Sequence, residues 1–480
     1  MNHRYVFHLF GKILIAMTAL LALPMIVSLI YKEACYSSFL ITMVISLVTG
    51  LAVSLVFRTE DKVIFAKEGF LIVALSWIGM SAIGALPFVI SGEIPSYVDA
   101  FFETVSGFTT TGASILDDVE SLSHGLLFWR SFTHWIGGMG VLVFMLAIIP
   151  SSNDRSIHIL RAEAPGPIIG KLVPKMRETA KILYLIYIAL TLIEIVFLLA
   201  GGMSLFDSVV HAFGTAGTGG FGIKADSIGS YSPYLQWVIT IFMLIFGVNF
   251  NLYYLILTKK IKSVFKSEEL WTYILICLAS TVIIAMNIRG LYGTLTETIR
   301  ESSFQVASVV TTTGYSTADF NAWPELSKTV LLLLMFLGSC AGSTAGGFKI
   351  SRLILLVKTV KREIKVLVHP RAVDVVRFEG KKVEEPVLKS LSAYLAIYLV
   401  CFMSIFILLS FDGYDILTNF SAASACFNNI GPGLGAVGPA ASFSGFSVFS
   451  KIILSVAMLF GRLEIYPMLF VLSPSAWSRK

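Results

Sequence analysis

Apolar residues along this chain are gathered into long runs broken by polar connections. Ten runs stand out, near 10–30, 37–57, 69–91, 127–150, 182–201, 234–257, 270–288, 328–357, 390–411 and 447–474. Each approaches the ~20 residues that a helix needs to cross a ~30 Å hydrocarbon core, so the pattern predicts ten transmembrane helices. Four of the connections carry a second, shorter apolar segment, at 98–109, 206–216, 299–310 and 416–427. These have about half the length that a crossing requires. They read as helices that dip into the membrane and return, which lipid permits only where protein or a watery cavity satisfies the backbone. The expected fold class is an all-α integral membrane protein.

Composition agrees. Hydrophobic residues make up 56% of the 480 residues and charged residues 14%, with a mean hydropathy of +0.81. That is too apolar for a soluble domain with a wet surface. The net charge of +6 invites a nucleic-acid partner, but its distribution points elsewhere. Lys and Arg concentrate in alternate connections, around 58–67, 155–181, 259–266 and 358–389. By the positive-inside rule these connections and both termini face the cytoplasm, and no nucleic acid is implied. The N-terminal run, with Arg4 and Lys12 ahead of Ile13–Ile30, also has the outline of a secretory signal. Its length and the second run close behind it favour a span. The five cysteines are scattered, with no CxxC and no histidine cluster beside them, which disfavours a disulfide framework or a zinc site.

The ends of the four short segments line up. They read Thr109-Thr110-Thr111-Gly112-Ala113, Ala216-Gly217-Thr218-Gly219-Gly220, Thr311-Thr312-Thr313-Gly314-Tyr315 and Asn428-Asn429-Ile430-Gly431-Pro432. Their fourth-position glycines lie 107, 95 and 117 residues apart. Each therefore belongs to one unit of span, half-helix, loop and span. The expected division is two N-terminal helices (1–60) followed by four parallel repeats at 61–160, 161–265, 266–365 and 366–480, arranged about a pseudo-fourfold pore. A dehydrated cation needs oxygen ligands in place of its water, and backbone carbonyls and Thr hydroxyls around an axis supply them. Glycine fits such loops because it adopts dihedrals that a Cβ obstructs. The candidate ion ligands are Thr110, Thr111 and Gly112; Thr218 and Gly219; Thr312, Thr313 and Gly314; and Asn429, Ile430 and Gly431. The half-helices would aim their negative C-terminal ends at the ion. One such loop alone would equally be a glycine-rich turn or a small-residue packing site, so the fourfold recurrence carries the argument. The four stretches hold no charged residue, which disfavours a charged-ring filter.

Two further features lie outside the loops. From Gly338 to Gly347 the chain has ten small residues in a row, including Gly338, Gly342, Gly346 and Gly347. Each glycine weakens a helix by ~1 kcal/mol, so a break at 338–347 is expected in preference to a closely packed continuous helix. Arg462, in the middle of the last run, must face the interior and pair with backbone carbonyls or with a carboxylate such as Glu464. Glu194, inside Leu192–Ile195, is equally unusual, and its role as a packing or a pore-side residue stays open.

Ser106–Gly112, Trp135–Gly140 and Arg161–Pro167, with the two extra N-terminal spans, resemble the Trk/Ktr/HKT superfamily of potassium transporters. Within it the likeness is to the bacterial TrkH-type subunit, over nearly the whole chain. The resemblance implies that K+ is the permeant ligand and that Gly112, Gly219, Gly314 and Gly431 govern selectivity. Some plant relatives place Ser at the first of these positions and pass sodium, whereas this chain has glycine at all four. It further implies that the loop 338–347 lies under the filter and blocks it until it moves, with Arg462 contacting that loop. Also implied are a bacterial inner membrane, a homodimer with one pore per protomer, and a peripheral cytosolic nucleotide-binding regulatory subunit (TrkA-like). For that subunit 358–389, punctuated by Pro370 and Pro386, is the best landing site. No Walker A and no GxGxxG opening a helix occurs, so no organic cofactor is expected on this chain. An ion-coupled carrier is the alternative, but such carriers usually use inverted or two-half repeats and midplane ionisable residues. The spans hold no nucleophile–base pair and no HExxH, so no enzyme is expected.

Overall fold

The computed structural model describes residues 2–60, 66–140, 176–371 and 374–477. The second part of the expected span 127–150, most of the basic connection 155–181 and the motif Arg161–Pro167 lie outside the described residues.

Helices α1 (His3–Ile30) and α2 (Tyr36–Val56) form an N-terminal hairpin. Small residues hold it together: a Cβ on Gly11 would lie 2.7 Å from the Gly50 carbonyl oxygen, and Ser46 donates to the Leu14 carbonyl at 2.8 Å. This is how helices pack where lipid supplies no hydrophobic drive between them. Four groups of helices follow, each containing one of the short apolar helices. First come α3 (Ala66–Gly84), α4 (Leu86–Ser91), the short α5 (Tyr97–Phe108) and α6 (His124–Gly138). Next are α7 (Met176–Ala200), the short α8 (Leu205–Gly217), α9 (Pro233–Phe246), α10 (Phe250–Leu257) and the single turn α11 (Ile261–Val264). The third set is α12 (Glu268–Ile288), the short α13 (Leu295–Val310), α14 (Glu325–Leu337) and α15 (Ile350–Val368). After a small antiparallel hairpin of β1 (Arg377–Phe378) and β2 (Lys381–Lys382) come α16 (Glu385–Leu409), the short α17 (Ile416–Phe427), α18 (Val448–Arg462), α19 (Tyr466–Leu472) and α20 (Pro474–Trp477).

The four short helices start alike. Side chains of Ser96, Ser204, Thr294 and Asp415 accept from the backbone N–H groups of Asp99, Asp207, Glu297 and Thr418, satisfying a donor that the helix leaves orphaned. They fall where the short apolar segments predict. Only α13 is a turn longer, because its first turn, with Thr296 and Glu297, is polar and invisible to a hydropathy reading.

Among the described residues six helices are long and apolar enough to cross a membrane, or seven if a bent pair is one span. Three expected straight spans do not form as single helices. The span 234–257 is bent by 90° between α9 and α10, where Asn249 caps the second piece by accepting from the Asn251 N–H at 3.0 Å. The span 447–474 breaks at Leu463–Ile465, where Glu464 and Ile465 take φ of 59° and 65°. The span 328–357 breaks between Leu337 and Ile350, at the run of small residues. Two of these breaks satisfy each other: Cys340 N–H donates to the Gly247 carbonyl at 3.2 Å, and Phe250 N–H to the Gly342 carbonyl at 3.0 Å. Irregular backbone can sit among membrane helices when protein groups meet its needs in this way.

Candidate functional site

Each short helix ends in the same cap. The N–H of Thr111 bonds the Ser106 carbonyl (2.9 Å), that of Gly219 the Gly214 carbonyl (2.8 Å), that of Thr313 the Ser308 carbonyl (2.8 Å) and that of Ile430 the Ala425 carbonyl (2.8 Å). The preceding residue, Thr110, Thr218, Thr312 or Asn429, is left-handed in every case, with φ between 54° and 57°. That is the Schellman arrangement, in which a left-handed residue turns the chain back over the helix end. Two residues on, φ is positive again at Gly112, Gly220, Gly314 and Gly431.

This geometry corrects the alignment of the second segment. The counterpart of Gly112, Gly314 and Gly431 is Gly220, whereas Gly219 stands level with Thr111, Thr313 and Ile430. The two adjacent glycines of Ala216–Gly220 permit either register by letters, and only the backbone dihedrals separate them.

In this register the four segments close into a ring. A Cβ on Gly112 would lie 2.0 Å from the Gly219 carbonyl oxygen, one on Gly220 2.0 Å from that of Thr313, one on Gly314 2.0 Å from that of Ile430, and one on Gly431 2.7 Å from that of Thr111. Each segment therefore packs its glycine against the carbonyl of the next, and the fourth returns to the first. Among the described residues no hydrogen-bond donor takes those four carbonyl oxygens. The same four glycines line a cavity of about 330 Å³. Asp117, Arg130 and Lys224 stand on its wall. Hydrogen bonds from Ser442 and Ser444 hold the Asp117 carboxyl below the ordinary aspartate range.

Beneath the ring lies the loop between Leu337 and Ile350. Gly346 N–H donates to Thr312 Oγ1 at 2.7 Å, and a Cβ on Gly346 would lie 2.5 Å from the Asn428 carbonyl oxygen. Gly338, Gly342 and Gly347 carry positive φ, and Gly338 and Gly347 pack on each other. Arg462 reaches this loop from α18: its guanidinium donates to the carbonyls of Thr344 (2.7 Å), Gly137 (2.5 Å) and Gly138 (2.7 Å). Glu464 is held by Arg352 on α15, at 2.5 Å. Glu269, near the start of α12, ties the loop to the first turn of α15 by accepting from Ala341 N–H (2.7 Å) and Ser351 N–H (3.1 Å).

Three comparisons bear on this arrangement. The family model TrkH, described as "Cation transport protein", matches residues 36–479. The chain belongs to the TrkH family. It is 36% identical over 484 residues to the Trk system potassium uptake protein TrkH of Salmonella typhimurium, covering 99% of this chain and 100% of the relative. To TrkG of Escherichia coli K12, also a Trk system potassium uptake protein, it is 36% identical over 480 residues, covering 99% and 98%. The crystal structure of the potassium transporter TrkH from Vibrio parahaemolyticus superposes with a TM-score of 0.89 at 33% identity, over 100% of both chains. The chain is thus a mostly helical, multi-pass membrane protein of this family.

Within this TrkH-family chain, Thr110, Thr111, Gly112, Thr218, Gly219, Thr312, Thr313, Gly314, Asn429, Ile430 and Gly431 all converge on one ring, and Arg462 joins the loop below it. Glu194 does not join them. It is fully buried on α7, facing Thr215 of α8, and is not among the residues lining the cavity. Three contributors escaped the sequence reading. Gly220 was hidden by the doubled glycine. Glu269 had a signal, a carboxylate at the edge of an apolar run. His134 sits beside the Trp135–Gly140 motif, one turn after Arg130.

Proposed function

We propose that this chain passes potassium across the bacterial inner membrane through the ring of four segments. The observation that carries the reading is the ring itself: four backbone carbonyls, from Thr111, Gly219, Thr313 and Ile430, without donors among the described residues and each backed by a glycine from the neighbouring segment. Such oxygens replace the water shell of a monovalent cation. The C-terminal ends of four helices converge on them and add negative potential where the ion would sit. The relatives are potassium uptake proteins by name, which supports potassium as the ion.

In the same reading the loop 338–349 obstructs the path below the ring and Arg462 holds it in place. The protein works as a homodimer of four-repeat protomers, and a cytosolic nucleotide-binding subunit acts on the basic face 358–389. The test is flux into liposomes with potassium and sodium compared. Gly112→Ser and Gly314→Ser are each expected to lower the potassium-to-sodium ratio by about tenfold, a loss of roughly 1.4 kcal/mol in discrimination. An unchanged ratio in both variants would falsify the filter assignment.

A further inference from the structure

We infer that His134 positions the second filter segment and helps set ion selectivity, an inference that rests on the filter reading above. The four segments are braced differently. In segments one and three the cap threonine bonds the threonine two residues on, Thr109 to Thr111 at 2.8 Å and Thr311 to Thr313 at 2.7 Å between hydroxyls. In segment four Asn428 accepts from the Tyr398 hydroxyl at 2.6 Å, and Asn429 Nδ2 donates to Thr111 Oγ1 at 3.0 Å. Segment two has glycine at both braced positions, Gly217 and Gly219. Its own bonds are Thr218 Oγ1 to the Gly217 carbonyl at 2.6 Å and Gly219 N–H to the Gly214 carbonyl at 2.8 Å. No side chain of the segment therefore backs the Gly219 carbonyl, one of the four in the ring, and glycine is the residue with most freedom to turn that carbonyl away.

The His134 imidazole fills the missing place. A Cβ on Gly219 would lie 1.3 Å from its Nδ1, and one on Gly217 would lie 2.3 Å from the His134 carbonyl oxygen. The imidazole is itself held from behind. The Phe221 ring packs on it at 4.2 Å between centroids, the Arg130 guanidinium lies 4.0 Å from the Phe221 centroid, and Arg130 is paired with Glu103 at 2.7 Å. His134 is fully buried, and among the described residues neither ring nitrogen has a hydrogen-bond partner. Burying a polar ring without partners carries a cost that an apolar side chain would avoid, so its shape and stiffness must be what the site uses.

The other repeats show the contrast. Gly137 and Gly461 press on the Phe108 and Phe427 carbonyls, which matches α6 to α18 and puts Met458 in the place of His134. Gly138 and Gly247 press on Gly217 and Thr311, which matches α6 to α9 and puts Met243 there. Met458 and Met243 are both fully buried, and the segments next in the ring, one and three, carry the threonine braces. A pliable thioether stands at the position that precedes each self-braced segment. A planar ring stands beside the one made of glycine.

The test uses the full chain in liposomes. His134→Met keeps the site filled, so the thermal midpoint should stay near wild type while the potassium-to-sodium ratio falls about tenfold, or roughly 1.4 kcal/mol. His134→Phe, which keeps a stiff planar ring without the polar nitrogens, should retain most of that ratio. Gly314→Ser serves as the control. A wild-type ratio in His134→Met while Gly314→Ser shifts would overturn the inference and leave the filter reading standing. A wild-type protein without potassium preference would remove the reading and the inference together.

Discussion

At Thr110, Thr218 and Thr312 a β-branched residue is held left-handed, a conformation that costs a non-glycine residue ~1–2 kcal/mol. Asn429 does the same at less cost, since asparagine visits this region readily. The cap bonds offset the strain, and the return is a row of carbonyls fixed at the helix end. The glycine two residues on is graded by space. A Cβ would meet a carbonyl at 2.0 Å from Gly112, Gly220 and Gly314 but at 2.7 Å from Gly431. Alanine at Gly431 should therefore be the mildest of the four changes and alanine at Gly314 among the harshest, compared by potassium uptake and thermal midpoint. Equal loss at all four would contradict the contact geometry. Three of these glycines were legible from the TTTG-like letters. The fourth was misplaced by one residue, because Gly219 and Gly220 are the same letter and differ only in φ.

Three helices that follow the short ones are broken within their expected spans. The small-residue run at 338–347 announced one break, since helix propensity is a local property. The bend at 247–249 and the break at 463–465 carried weaker cues, one glycine with an asparagine in the first case and a charge pair with Pro467 in the second. Beside Arg462, Glu269 also ties down the loop 338–349, since one of its carboxylate oxygens accepts from Ala341 N–H within the loop and from Ser351 N–H just past it. Hydrogen bonds to a charged acceptor contribute ~1.5–3 kcal/mol each. Glu269→Ala removes both and is expected to raise potassium leak through the purified protein in liposomes. Glu269→Gln keeps an acceptor oxygen and should leak far less; equal leak in the two variants would argue against the clamp.

Across the whole molecule the ring exists only because four segments distant in sequence close on one another, and buried charges tie their surroundings together. Arg130 of α6 donates to Glu103 of α5 at 2.7 Å and to the Gly222 carbonyl beside segment two at 3.2 Å. Arg130→Met leaves the buried Glu103 carboxylate without its charge partner, with only the Ser114 hydroxyl and the Ile115 N–H donating to it. That is a loss of up to about 3–5 kcal/mol, which should lower the thermal midpoint in detergent. Adding Glu103→Gln should recover part of it, and a double variant no better than the single would show that the pair is not the cause. The sequence by itself determined the membrane class, the four half-helices, the repeated loops and the break after Leu337, because hydropathy, length and glycine content act over a few turns of chain. Only the tertiary structure decided which carbonyl of segment two joins the ring, that Arg352 holds Glu464, and that His134 stands behind Gly219. The reason is distance along the chain: Arg462 meets Thr344 118 residues away and Gly137 325 residues away, and no local pattern encodes which distant backbone a side chain will find.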